Sequence, residues 1–141
     1  MNLEIARKVA EEAHKGQKRK GGEDYINHVI RVSQKASEYS KEAGIIGMLH
    51  DVLEDSNLTA QDLQNYGFSE NVITGVICLT KPKNCSYLNY ILSINNLKEL
   101  NWGYNCIIYV KICDLKDNLI GATGTLKDKY ELALWILENN S

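Results

Sequence analysis

The chain has 141 residues, 44% hydrophobic and 24% charged, with a formal net charge of -2. That size suits a single domain, residues 1–141, around one sizeable core. The charge balance excludes a surface built to coat nucleic acid, and no apolar run approaches the roughly 20 residues needed to span a bilayer.

Met1-Asn2-Leu3-Glu4-Ile5 lacks the apolar core of a signal peptide. Cys78, Cys85, Cys106 and Cys113 form no Cys-x-x-Cys pair, which argues against a zinc knuckle. The expectation is a cytoplasmic protein with reduced thiols. Apolar periodicity predicts a first helix over residues 3–14, with Leu3, Ala6, Val9, Ala10 and Ala13 on its core stripe. His14 falls in the last turn, where a cation suits the helix dipole and Gly16 then stops the chain; a site role for His14 is equally open. Lys15 to Gly22 carries four cations and three glycines. It reads as a flexible, solvated loop that could also clamp phosphate through the planar fork of Arg19.

Residues 24–39 resume the helical pattern, with Asp24 as cap and His28 inside the apolar stretch. Residues 41–53 are apolar nearly all round, which predicts one continuous helix buried in the middle of a bundle. Thr59 caps a short helix that Gly67 ends, and Ser69 caps another that runs to Leu79. Lys81-Pro82-Lys83-Asn84 is the clearest break, followed by a helix from Ser86 to Asn95. Cys106 to Val110 could pass for a strand but has no β-like partner, so Tyr104 to Ile120 is read as a buried helix. It carries Asp114 and Asn118 on one face, while Asp117 is expected to be solvated or paired with a lysine. A last helix spans about Leu126 to Glu138. The expected fold is an all-α bundle of about seven or eight helices, with no repeat and no second domain.

The chemistry centres on His50-Asp51-Val52-Leu53-Glu54-Asp55, one imidazole and three carboxylates within six residues. On a continuous helix Glu54 lies above His50 and Asp51, and Asp55 above Asp51. Such a cluster among apolar side chains is costly unless a cation compensates it. His28, His50, Asp51 and Asp114, from three helices, are the candidate ligands. Two nitrogens and two oxygens suit a divalent ion such as Mn²⁺, Fe²⁺ or Zn²⁺. Glu54 and Asp55 could orient an attacking water or carry its proton. Arg19, with Lys18 or Lys20, could neutralise substrate phosphates. No Walker-type loop and no nucleophile motif occurs, which leaves water as the attacker.

These residues resemble the HD-domain metal-dependent phosphohydrolases. The finer resemblance is to the hydrolase domain of the RelA/SpoT proteins and to the small stand-alone alarmone hydrolases. It rests on His14-Lys15-Gly16-Gln17-Lys18-Arg19-Lys20, Tyr25-Ile26-Asn27-His28, Leu49 to Asp55, Leu79-Thr80-Lys81 and Val110 to Asn118. The resemblance implies an HD-domain helical fold and Mn²⁺ held by His28, His50, Asp51 and Asp114. It implies catalytic roles for Glu54 and Asp55, nucleotide or pyrophosphate contact by Arg19 with Lys20 beside it, and sugar contact by Asn118. The implied reaction removes the 3′-pyrophosphate of (p)ppGpp, giving GDP or GTP and pyrophosphate. Synthetase and regulatory domains would not fit in this length, so hydrolysis alone is expected. The chain departs from the resemblance at Asp24 and Val29, where proline is common, and at Leu119-Ile120-Gly121, where many members are polar. The alternatives are action on another nucleotide, a dNMP or a phosphorylated nicotinamide dinucleotide, and a non-catalytic nucleotide-binding module.

Overall fold

The computed structural model describes residues 2–100 and 102–139. Nine α-helical segments are present among them: α1 (Leu3–Ala13), α2 (Tyr25–Ala36), α3 (Lys41–Leu49), α4 (Val52–Asp55), α5 (Ala60–Asn65), α6 (Glu70–Cys78), α7 (Tyr87–Asn95), α8 (Asn105–Leu119) and α9 (Gly124–Asn139). Two 3-10 turns, Asn96–Glu99 and Trp102–Tyr104, join α7 to α8. The predicted all-α architecture is the one observed. Side-chain caps set many of the helix starts: Ser40, Ser69 and Ser86 each accept a backbone N–H of the first turn, and Thr59 with Asp62 closes a reciprocal capping box.

α3 is the axis of the bundle. Every residue from Ala43 to Leu49 is buried, and α1, α2, α6 and α8 pack around it. Its glycines let α2 come close. A Cβ on Gly47 would sit 3.1 Å from the Ser33 Cα, and Ser33 Oγ donates to the Gly44 carbonyl at 2.7 Å. This close approach brings His28 on α2 beside His50 at the end of α3. α8 carries the third wall, with Val110, Asp114 and Leu115 turned inward. No helix among the described residues is long and apolar enough to cross a membrane.

Three local expectations are corrected. The helix predicted over 41–53 is interrupted: α3 ends at Leu49, His50-Asp51 forms a turn, and α4 restarts at Val52. The cause is local competition for a carbonyl. His50 Nδ1 lies 2.6 Å from the Gly47 oxygen, which a continuous helix would have given to the Asp51 N–H. Asp24 does not cap α2 with its side chain but pairs with Lys18 Nζ at 2.5 Å. The Lys15–Gly22 loop is a defined turn, with Lys18 and Asp24 bridged antiparallel, Arg19 N–H donating to the Glu23 carbonyl, and Gly22 at a φ of +95°.

The buried α3 axis makes a direct stability prediction. Leu49, fully buried one residue from His50, should cost about 2–5 kcal/mol when changed to Ala. Urea unfolding of metal-free protein reads this, as a lower midpoint with an unchanged slope.

Candidate metal centre

Four side chains from α2, the α3–α4 turn and α8 converge. His28, His50, Asp51 and Asp114 each offer one ligand atom, all within 4.8 Å of one another. His28 Nε2 and His50 Nε2 lie 3.0 and 3.2 Å from Asp114 Oδ1, and His50 Nε2 lies 2.9 Å from Asp51 Oδ2. Both imidazoles are buried, as is Asp114.

The surrounding bonds aim these groups. His28 Nδ1 donates to Asp117 Oδ2 at 2.6 Å and His50 Nδ1 to the Gly47 carbonyl, so each ring turns its Nε2 to the centre. Tyr25 donates its hydroxyl proton to Asp51 Oδ2 at 2.6 Å. Burial and the Asp51 charge push the Tyr25 phenol far above its ordinary range, which keeps it a donor. Lys111 Nζ takes Asp114 Oδ2 at 2.8 Å and sits over the Tyr90 ring, leaving Oδ1 to the imidazoles.

Electrostatics describe a site that wants a cation. Burial pushes both histidines down, but Asp51 and Asp114 outweigh it at His50, and Asp114 and Asp117 outweigh it at His28, so both titrate above the usual range. Asp114 is disfavoured by burial yet held well below the usual carboxylate range by Lys111 and His50. Protons on the imidazoles thus supply positive charge that a divalent ion would displace. Two imidazoles with held Nδ1–H groups and two carboxylates are a fitting donor set for a borderline-to-hard divalent cation.

The remaining predicted site residues lie at the rim. Glu54 is exposed, and its Oε1 accepts the Lys81 backbone N–H at 2.5 Å. Asp55 is exposed as a residue, yet its carboxyl is partly desolvated. That desolvation and the charges of Asp51 and Glu54 raise its pKa to about 6. Arg19 donates to Asp117 Oδ2 at 3.1 Å and to Asn118 Oδ1 at 2.9 Å, so these two predicted substrate contacts adjoin each other. Lys20 is exposed.

Asp117 corrects the expectation of a solvated or lysine-paired acid: it is buried and holds His28, Arg31 and Arg19. Its spacing of three from Asp114 is the available signal, as it is for Lys111 on the other side. His14 is not a charged cap. It is buried, its Nδ1 lies 2.8 Å from Gln17 Oε1, and burial lowers its pKa. Gln17 in turn donates to the Asp55 carbonyl at 2.7 Å, tying the α1 end to α4.

A helical bundle with a His/Asp centre of this make-up is a helical domain with a site that could hold a metal ion. A profile described as an HD domain matches residues 6–93, and the chain belongs to the HD-domain family. The chain is 31% identical over 121 residues to a guanosine-3′,5′-bis(diphosphate) 3′-pyrophosphohydrolase of Borreliella burgdorferi, covering 84% of this chain and 18% of that protein. It is 39% identical over 79 residues to the bifunctional (p)ppGpp synthase/hydrolase SpoT of Escherichia coli K12, covering 53% of this chain and 11% of that protein. The chain therefore spans less than a fifth of the length of these relatives. A solved structure described as a metazoan ortholog of SpoT that hydrolyzes ppGpp shares the fold, with a TM-score of 0.77 at 24% identity over 98% of this chain and 84% of that one.

The raised Asp55 carboxyl gives a pH prediction. The folded state holds this proton more tightly than the unfolded chain does. Its contribution therefore favours the metal-free fold at acid pH and is lost as pH rises from the ordinary 3.8 through about 6. A ¹³C NMR titration should find the midpoint near 6 without metal and lower once a divalent cation is added.

Proposed function

We propose that the chain is a metal-dependent hydrolase that removes the 3′-pyrophosphate of (p)ppGpp, giving GDP or GTP and pyrophosphate. The observation that carries this reading is the joining of two features at one place. The first is a two-His, two-Asp centre with three of its four residues buried; the second is the Glu54–Asp55 pair and the Arg19–Asn118 pair around it. The named activities of the Borreliella and Escherichia relatives support it.

In this reading His28, His50, Asp51 and Asp114 hold one divalent ion, Mn²⁺ in the first instance. When bound, the ion supplies Lewis acidity toward a phosphoryl oxygen and a water of lowered pKa. Asp55, with a carboxyl titrating near 6, accepts a proton at neutral pH without holding it too tightly. Glu54, anchored by the Lys81 N–H, adds a second acceptor one residue away. Arg19 exchanges part of its pairing with Asp117 and Asn118 for substrate phosphate, with Lys20 adding charge beside it, and Asn118 is then freed toward the sugar. Four free thiols support a cytoplasmic setting.

The test is a nucleotide panel offered to chelator-treated protein reloaded with Mn²⁺. Pyrophosphate should be released from ppGpp and pppGpp. Orthophosphate from a dNMP or from a phosphorylated nicotinamide dinucleotide would replace this reading with a different HD phosphohydrolase activity. A Glu54→Gln, Asp55→Asn double variant should lose turnover by about 10²-fold or more and still bind nucleotide. Tight nucleotide binding by the unaltered protein with no turnover under any divalent metal would mark a binding module instead. His50→Ala should lose metal content and activity together while its far-UV circular dichroism stays that of a helical bundle.

A further inference from the structure

The back of His28 is held by more than one residue. Asp117 Oδ2 accepts the His28 Nδ1 proton at 2.6 Å while His28 Nε2 faces Asp114. Arg31, one turn along α2 from His28, grips the same carboxylate twice: Nε donates to Oδ1 at 2.8 Å and Nη2 to Oδ2 at 3.0 Å. The other edge of the guanidinium takes Glu23, with Nη1 to Oε2 at 2.7 Å and Nη2 to Oε1 at 2.9 Å. A planar fork engaged on two edges has little freedom to rotate. It therefore fixes the plane of the Asp117 carboxylate, and that carboxylate fixes the plane of the imidazole.

We propose that Glu23, Arg31 and Asp117 are a relay of positioning residues that sets the aim of His28 and thereby the affinity of the centre for a divalent ion. This rests on His28 being a metal ligand, as in the reading above, and on no choice of substrate. Orientation and charge make opposite demands on Arg31, which is what allows them to be told apart. Removing a cation near a metal site strengthens metal binding if only charge matters. Removing the fork that orients Asp117 weakens it if aim matters.

The surroundings make the test clean. The Arg31 side chain is 40% exposed, and with Asp117 it lines an outer groove of about 540 Å³ between α2 and α8, away from the packed core. Substituting it removes no core packing. Asp117 keeps Arg19 as a cationic partner at 3.1 Å, so loss of Arg31 changes the geometry at Asp117 without leaving a buried charge alone.

The experiment measures the Mn²⁺ Kd of the whole chain by competition with a chelating dye, and by NMR the His28 Nδ1 proton. Asp117→Asn should raise the Kd about 10- to 100-fold, and Arg31→Met by about tenfold. Arg31→Lys should recover only part of that loss, because an ammonium cannot reproduce the fork. Glu23→Gln should fall in the same direction with a smaller effect. In Arg31→Met the His28 Nδ1 proton should exchange faster with solvent. If Arg31→Met does not fold, Arg31→Lys, which keeps the charge and loses the fork, decides between aim and charge: a raised Kd means aim, and an unchanged Kd overturns it. A Kd unchanged or lowered in these variants, with unaltered protein binding Mn²⁺ normally, overturns the relay and leaves the metal centre standing. Failure of the unaltered protein to bind any divalent ion overturns both. Neither result depends on whether ppGpp is turned over.

Discussion

Two imidazoles and two carboxylates packed within 4.8 Å, three of the four residues buried, are the constraint on which the rest of this structure depends. Like-signed carboxylates cannot share a dry site without positive charge between them. The chain meets that demand with Lys111 against Asp114 and with imidazoles whose proton affinity is raised by the same carboxylates. A divalent cation satisfies it more completely, because one ion can face all four ligand atoms at once. The glycine-lined approach of α2 to α3 and the buried wall of α8 follow from this requirement, since only their close packing lets residues 86 positions apart meet.

Around that centre the helices divide the work. α2 and α8 supply three aiming groups: Asp117 holds His28 by Nδ1 and Lys111 holds Asp114 by Oδ2, while Tyr25 donates to Asp51 Oδ2, the oxygen that faces His50. The turn before α4 and α4 itself carry the acids outward, from Asp51 in the centre to Glu54 and Asp55 at the edge. The turn between α1 and α2 brings Arg19 against Asp117 and Asn118, beside His28 and Asp114. Acceptors for a water proton at Glu54 and Asp55 and donors for phosphate charge at Arg19 are the groups that hydrolysis of a phosphate ester asks for.

Much of this is legible in the sequence. The apolar stripes and the Ser and Thr caps mark where many of the helices begin, and the all-round apolar character of residues 43–49 identifies the central helix. The convergence of His28, His50, Asp51 and Asp114 is expected from the types of residue and the resemblance together. The break at His50-Asp51 is not, because helical periodicity is blind to a side chain that captures a backbone carbonyl. Asp117 escapes a sequence reading for a related reason. Helix spacing places it close to Asp114, but only the packing of α2 shows that Arg31 and His28 wait on that side. His14 shows the opposite limit: its position in the last turn suggests an exposed cation, whereas Gln17 and the Tyr25 ring enclose it as a neutral group.

The central claim is that one divalent ion sits among these four ligands, and anomalous diffraction from crystals of Mn²⁺-loaded protein tests it most directly. The account predicts a single strong anomalous peak per chain, within bonding distance of His28 Nε2, His50 Nε2 and carboxylate oxygens of Asp51 and Asp114. A peak elsewhere in the chain, or none at saturating Mn²⁺, would contradict it.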